Sequence, residues 1–241
     1  MSEVKTKTEE SIEIVRAGAH AGVLTTCEHA SERLPAPWSW SERDRRLVGT
    51  HWAFDLGAAD LAREYAGIVG GVAVLSRFTR LLADPNRPES SPTLFREYAE
   101  GEPVELNASI DPAEREIRLD GYYRPFHEAV DREVAASAAP ILLAMHTFTP
   151  LYEGTPRTLE VGVLFDEEEE LATRLIAHLA EAGFRVAPNE PYSGREGLIH
   201  VVERHARTHG RRAIEIEVRQ DLAVDPSFRA RFLPRLADII R

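Results

Sequence analysis

The stretch AGVLTTCEHASE, residues 21–32, decides the fold. Its first seven residues are uncharged, apolar or β-branched, and they end in the polar run Glu28-His29-Ala30-Ser31-Glu32. That is the pattern of a buried strand opening into a polar turn. Working outward, the signature recurs in GGVAVLS (70–76), PILLAMH (140–146), TLEVGVLF (158–165), FRVAP (184–188) and AIEIEVR (213–219). Helical spacing fills much of the rest. It runs from Ser41 through ERDRRLVGTH, and over 55–67, where Leu56, Ala59, Leu61, Ala62 and Tyr65 recur. It returns over 110–138, from the Asp111-Pro112 cap, and over 166–183, where an acidic start suits the helix dipole and Gly183 is a stop. RFTRLLADPNRPESSP (77–92) reads as loop. Strands alternating with helices predict an α/β fold with helices on both faces of the sheet. In such sheets ligands gather at the carboxyl ends of the strands.

The chain has 241 residues, 43% of them hydrophobic, which suits one domain over 1–241 with a real core; residues 1–18 are expected to be a flexible N-terminal segment. A net charge of -11 argues against a nucleic-acid partner, because phosphate binding needs clustered Lys and Arg. Cys27 is the single cysteine, so no internal disulfide exists and a reducing compartment is expected. No apolar run has the length of a membrane span and the N-terminus lacks a signal-peptide core. A cytoplasmic protein without membrane contact is the expectation.

The strand ends hold the chemistry. The first strand delivers His29 and Glu32, the 140–146 strand delivers His146, and the last carries Glu215, Glu217 and Arg219. The 70–76 strand runs into Arg77, Arg80, Asp84, Asn86 and Arg87. A catalytic zinc takes three protein ligands drawn from His and carboxylate and keeps one position open. His29 and His146 are the nitrogen candidates. The third ligand is either Glu32, three residues after His29, or Asp55 in HWAFD at the head of the second helix. Glu217 is the candidate general base. Glu215 shares its strand face, since side chains repeat every two residues. The arginines suit a substrate carboxylate, which they can grip with two parallel hydrogen bonds.

A lone histidine after a strand is more often structural than a ligand; His29 and His146 gain weight from each other. His20, His51, His127, His178, His200, His205 and His209 read as surface or loop residues. The His205/His209 pair has metal-binding spacing but sits in the basic stretch ERHARTHGRR, which repels a cation. Cys27 reads as a buried, inert thiol.

Seven segments in order, VLTTCEHAS, HWAFDLGA, SRFTRLLADPNR, YYRPFH, MHTFTP, NEPYSG and IEIEVRQDL, resemble the N-formylglutamate amidohydrolase family over roughly residues 20 to 222. The resemblance implies a zinc-carboxypeptidase-like fold, three-layer α/β/α with a mixed, largely parallel sheet, and zinc-assisted hydrolysis of an N-acyl amino acid such as N-formyl-L-glutamate. It implies His29 and His146 as zinc ligands, Glu217 as general base, Asn86 and Arg87 on the substrate carboxylate, and Arg80, with Arg77 as the alternative, on the scissile carbonyl. For the third ligand, carboxypeptidases and aspartoacylases use the glutamate of His-x-x-Glu, which Glu32 fits. In formylglutamate hydrolases an acid like Asp55 recurs, and Asp55 is preferred here. CEHAS departs from the proline-histidine-serine form of the histidine-degradation enzymes. Two other functions fit the same residues: a carboxypeptidase-like hydrolase of a peptide or cell-wall fragment, with a pocket set by loop 88–110, and a catalytically silent carboxylate-binding module.

Overall fold

The computed structural model describes residues 11–18, 22–152 and 154–240. Residues 1–10 and His20 lie outside them. Seven strands form the central sheet: β1 (Ile12–Arg16), β2 (Val23–Cys27), β3 (Val72–Ser76), β4 (Ile141–Phe148), β5 (Val161–Leu164), β6 (Val186–Pro188) and β7 (Arg212–Arg219). Their order is β1-β3-β2-β4-β7-β5-β6. β3, β2, β4 and β7 run parallel; β1 pairs antiparallel with β3, and β5 antiparallel with β7. The sheet is thus mixed and largely parallel, as expected.

The helices are α1 (Ala58–Val69), α2 (Pro112–Arg118), α3 (Arg124–Ala136), α4 (Glu169–Glu181), α5 (His200–His209), the short α6 (Gln220–Ala223) and α7 (Pro226–Ile239). A π-helical turn, Leu119–Tyr123, joins α2 to α3. Two apolar cores lie on the two faces of the sheet. Ile141, Leu143 and Met145 of β4, with Ile214, Ile216 and Val218 of β7, pack under α1, α4 and α7. Leu142 and Ala144 pack under α3 and α5. Three layers follow. Strict alternation also fixes the chemistry: His146 continues the face of Leu142 and Ala144, and Glu215 and Glu217 lie opposite the face of Ile214 and Ile216. The β4–β7 register places Glu217 directly beside His146.

Two expectations change. Residues 12–16, within the stretch read as an N-terminal segment, form an edge strand paired with β3. IEIVR is buried at Ile12, half-buried over the next three residues and exposed at Arg16, a gradient an antiparallel edge tolerates and a buried-run search overlooks. The helical pattern from Ser41 yields only a 3₁₀ turn, Asp44–Leu47. Asp44 is buried and accepts the Glu105 and Leu106 N–H groups, while Leu47 packs with Leu81 and Val104; these tertiary ties replace a longer helix.

Candidate active site at the carboxyl edge of the sheet

The turn after β2 places His29, and its backbone carbonyl accepts the Asp55 N–H at 2.9 Å, which brings the loop before α1 onto the site. That loop is pinned further. The Thr79 hydroxyl and the Arg80 N–H both donate to Ala53 O, and the Thr147 hydroxyl donates to Leu56 O. Gly57 closes it at φ 85°, and a Cβ there would lie 2.8 Å from that of Ala223.

His29 Nδ1 lies 3.3 Å, and His146 Nδ1 2.8 Å, from the same oxygen, Asp55 Oδ2. The opposite nitrogens are each committed to another carboxylate: His29 Nε2 to Asp84 at 2.7 Å and His146 Nε2 to Glu28 at 2.7 Å. All of these groups are buried. Burial alone would raise the Asp55 carboxyl, but the two histidines facing it hold it far below the carboxylate range. Asp84 is likewise held low, against burial, by Arg80 and His29. Burial would lower His146, yet Glu215, Asp55 and Glu28 raise it well above the imidazole range.

Ligand atoms of His29, Asp55 and His146 lie within 4.8 Å of one another, as do those of His146, Glu215 and Glu217. The first trio fits zinc in donor type, two imidazole nitrogens and a carboxylate oxygen. It also fits in orientation. A metal-binding imidazole gives its other N–H to a carboxylate, which fixes the tautomer, and both Nε2 atoms are held that way.

Glu217 is buried at the cleft floor, with Oε2 unpartnered. Burial, opposed by His146 and reinforced by Glu215, raises its carboxyl well above the usual range. Glu215 is pushed up to about 7, chiefly by burial. Gly162, Glu217's register partner on β5, could not be larger: a Cβ there would lie 1.9 Å from Glu190 O.

Arg80 reaches Asp84 Oδ2 at 2.9 Å and Asp55 Oδ1 at 3.4 Å and lines the cleft. Asn86 and Arg87 line it as well. The Asn86 side chain also ties the turn to α5, donating to Leu198 O and accepting the Val201 N–H. Arg77 leaves the set. Alternation along β3 carries it to the face of Ala73 and Leu75, where it lines a separate depression with Glu13 and Arg63. Glu32 is absent from the cleft lining; its carboxylate accepts the Gly49 N–H at 2.6 Å.

Sequence reading missed several lining residues. His51, expected as a surface or loop residue, lies in a turn and lines the cleft with Trp52, and Arg96 lies over the Trp52 ring at 5.5 Å. Tyr152 and Tyr192 add aromatic walls. His127 and His205, also expected as surface or loop residues, lie on helices and are buried between α3 and α5. Cys27 is buried in the core under α1, and desolvation raises its thiol well above the ordinary value.

A three-layer α/β/α fold thus gathers histidines, carboxylates and arginines in one cleft at the carboxyl edge of its sheet, a donor set suited to a hydrolytic metal site. The chain belongs to the N-formylglutamate amidohydrolase family, whose model matches residues 21–224. Among solved structures it is similar to gene product Atu2144 from Agrobacterium tumefaciens, at 30% identity over 97% of this chain and 94% of that one, TM-score 0.89. It is also similar to N-formylglutamate amidohydrolase from Ralstonia eutropha JMP134, at 19% identity over 95% of each chain, TM-score 0.70. No curated protein matches it in sequence.

Proposed function

We propose that the protein is a zinc-dependent amidohydrolase that removes the acyl group from a small N-acyl amino acid of the N-formyl-L-glutamate kind. The observation that carries the reading is the convergence of two histidine Nδ1 atoms on one Asp55 oxygen, with each Nε2 held by a carboxylate. His29, Asp55 and His146 are the residues that hold the ion. Zinc, when bound there, supplies Lewis acidity to the acyl oxygen and positive charge that favours an ionised Glu217.

The chain's own residues do the rest. Glu217 takes a proton from the attacking water and returns it to the leaving amine as the C–N bond breaks. Arg80, already oriented by Asp84 and Asp55, donates to the oxyanion that develops on the acyl oxygen. Asn86 and Arg87 anchor the α-carboxylate, which fixes the amide against the base. Arg87 and Arg96 make no ion pair among the described residues; Arg87 donates to the Asn86 carbonyl, and Arg96 lies over the Trp52 ring. Two such guanidinium groups in one cleft suit a substrate with two carboxylates, and Arg96 suits the one on the side chain.

The cleft encloses about 200 Å³. That volume suits one acylated amino acid better than a peptide or cell-wall fragment. Arg96, from loop 88–110, helps line it. No helix of the described residues is long and apolar enough to cross a membrane. A small-molecule substrate, with no nucleic-acid or membrane partner, and a cytoplasmic location complete the reading.

The test is a panel of N-formyl, N-acetyl and N-carbamoyl amino acids with zinc-loaded and chelator-stripped protein. Hydrolysis confined to the loaded form, with N-formyl-glutamate among the better substrates, is expected. Equal turnover by the stripped protein sinks the metal, and no turnover of any substrate sinks the activity.

A further inference from the structure

A second group of histidines stands behind the cleft, and the reaction does not use it. His127 lies on α3, and His200 and His205 on α5. His127 Nε2 is 3.1 Å from Pro85 O, and its Nδ1 is 3.1 Å from His205 Nε2. Both rings are buried, and His127 packs at 4.4 Å against Tyr123.

The hydrogen-bond direction along this chain is forced. A carbonyl oxygen only accepts, so the His127 Nε2 carries the proton. Burial, then His205 and Arg204, hold His127 well below its ordinary range, so it is neutral and its Nδ1 accepts. His205 Nε2 must therefore be the donor. Burial and Arg204, opposed by Asp131, push His205 down to about 4, so it is neutral; with its proton on Nε2, its Nδ1 is bare, 3.6 Å from Asp131 and outside hydrogen-bond distance.

The anchored carbonyl sits in the middle of the working turn. Asp84, one residue before it, holds both His29 and Arg80. Asn86 and Arg87 follow it, and Tyr123 donates to Arg87 O at 2.7 Å. We propose that His127 is a positioning residue for the Asp84–Arg87 turn, that it acts as an Nε2–H donor to Pro85, and that His205 backs it by donating to Nδ1. The consequence for substrate rests on the reading that Asn86 and Arg87 hold the substrate carboxylate.

Three variants and one spectrum test this. His127→Phe keeps an aromatic ring beside Tyr123 and removes the donor. His127→Gln keeps a donor near the Nε2 position, and His127→Asn places it near Nδ1 instead. Expected for His127→Phe and His127→Asn is a KM roughly tenfold higher with kcat within about twofold, the signature of lost ground-state binding. The amide resonances of Asn86 and Arg87 move with it. His127→Gln restores both. In the parent protein, imidazole ¹⁵N shifts show His127 and His205 each protonated at Nε2. The proposal is overturned if His127 carries its proton on Nδ1, if His127→Gln is no better than His127→Phe, or if folded His127→Phe leaves the turn amides in place. The nitrogen and amide readouts need no substrate, so they stand or fall separately from the proposed activity.

Discussion

Two pairs of buried histidines lie in this molecule in opposite electrical surroundings. His29 and His146 are ringed by Glu28, Asp55 and Asp84, with Glu215 3.6 Å from His146. His127 and His205 face a backbone carbonyl and the charge of Arg204, and their nearest carboxylate, Asp131, is already engaged by His209 at 2.8 Å. His146 is raised well above the ordinary imidazole value, and His205 is lowered to about 4. The difference teaches that burial alone does not define a histidine. What its second nitrogen meets decides whether the first is presented to a cation or locked as an anchor.

The comparison can be broken from either side, and the largest effect belongs to the carboxylate-ringed pair. Chelation is expected to abolish turnover and zinc to restore it; metal content measured alongside activity checks this, with His29→Ala unable to recover. Glu217→Gln should lower kcat about 10³-fold while leaving metal content unchanged, in line with loss of a general base. Retention of full kcat sinks its assigned role. Arg80→Met should cost about 10²-fold in kcat, as for loss of an oxyanion donor. Arg96→Gln should raise KM roughly tenfold for N-formyl-glutamate and leave N-formyl-glutamine unchanged, measured as a ratio of kcat/KM values.

The smallest effect sharpens the other side. His205 and His200 are both lowered to about 4, so between the unfolded value near 6.5 and pH 4 the unfolded chain binds more protons than the folded one. Stability is therefore fully present above about pH 6.5 and falls as the pH drops toward 4, by at most about 3 kcal/mol for His205. Chemical denaturation across that window should show a shallower slope in His205→Gln. An unchanged slope means that His205 is not held neutral.

Much of this frame was legible in the chain. Uninterrupted apolar runs mark β2, β4 and β5, and the alternation of β7 shows which of its residues share a face. The gathering of His29, Asp55 and His146 follows from their places at strand ends and a helix head. Three things were not legible. The edge strand Ile12–Arg16 carries Glu13 and Arg16, which pair with Arg63 and Glu133 on opposite faces of the sheet, and in sequence it looks like a polar tail. Arg96 and His51 reach the cleft from irregular segments, whose direction is set by contacts such as Trp52 and not by any period. His127 and His205 occupy helical positions that a polar, charged sequence advertises as solvent-facing; only the packing of the two helices buries them. Arg77 failed for the reverse reason. The two-residue period of β3 does foretell its face, and proximity in sequence to Arg80 obscured it.

Asp84 gives one oxygen to His29 and the other to Arg80. One side chain thereby sets the direction of His29, the proposed ligand, and of Arg80, the group proposed to meet the acyl oxygen. These two functions cannot drift independently: any substitution that retunes one retunes the other. Removing Asp84 and Arg80 together should cost less than the sum of the separate losses, so the site has fewer adjustable parts than it has residues.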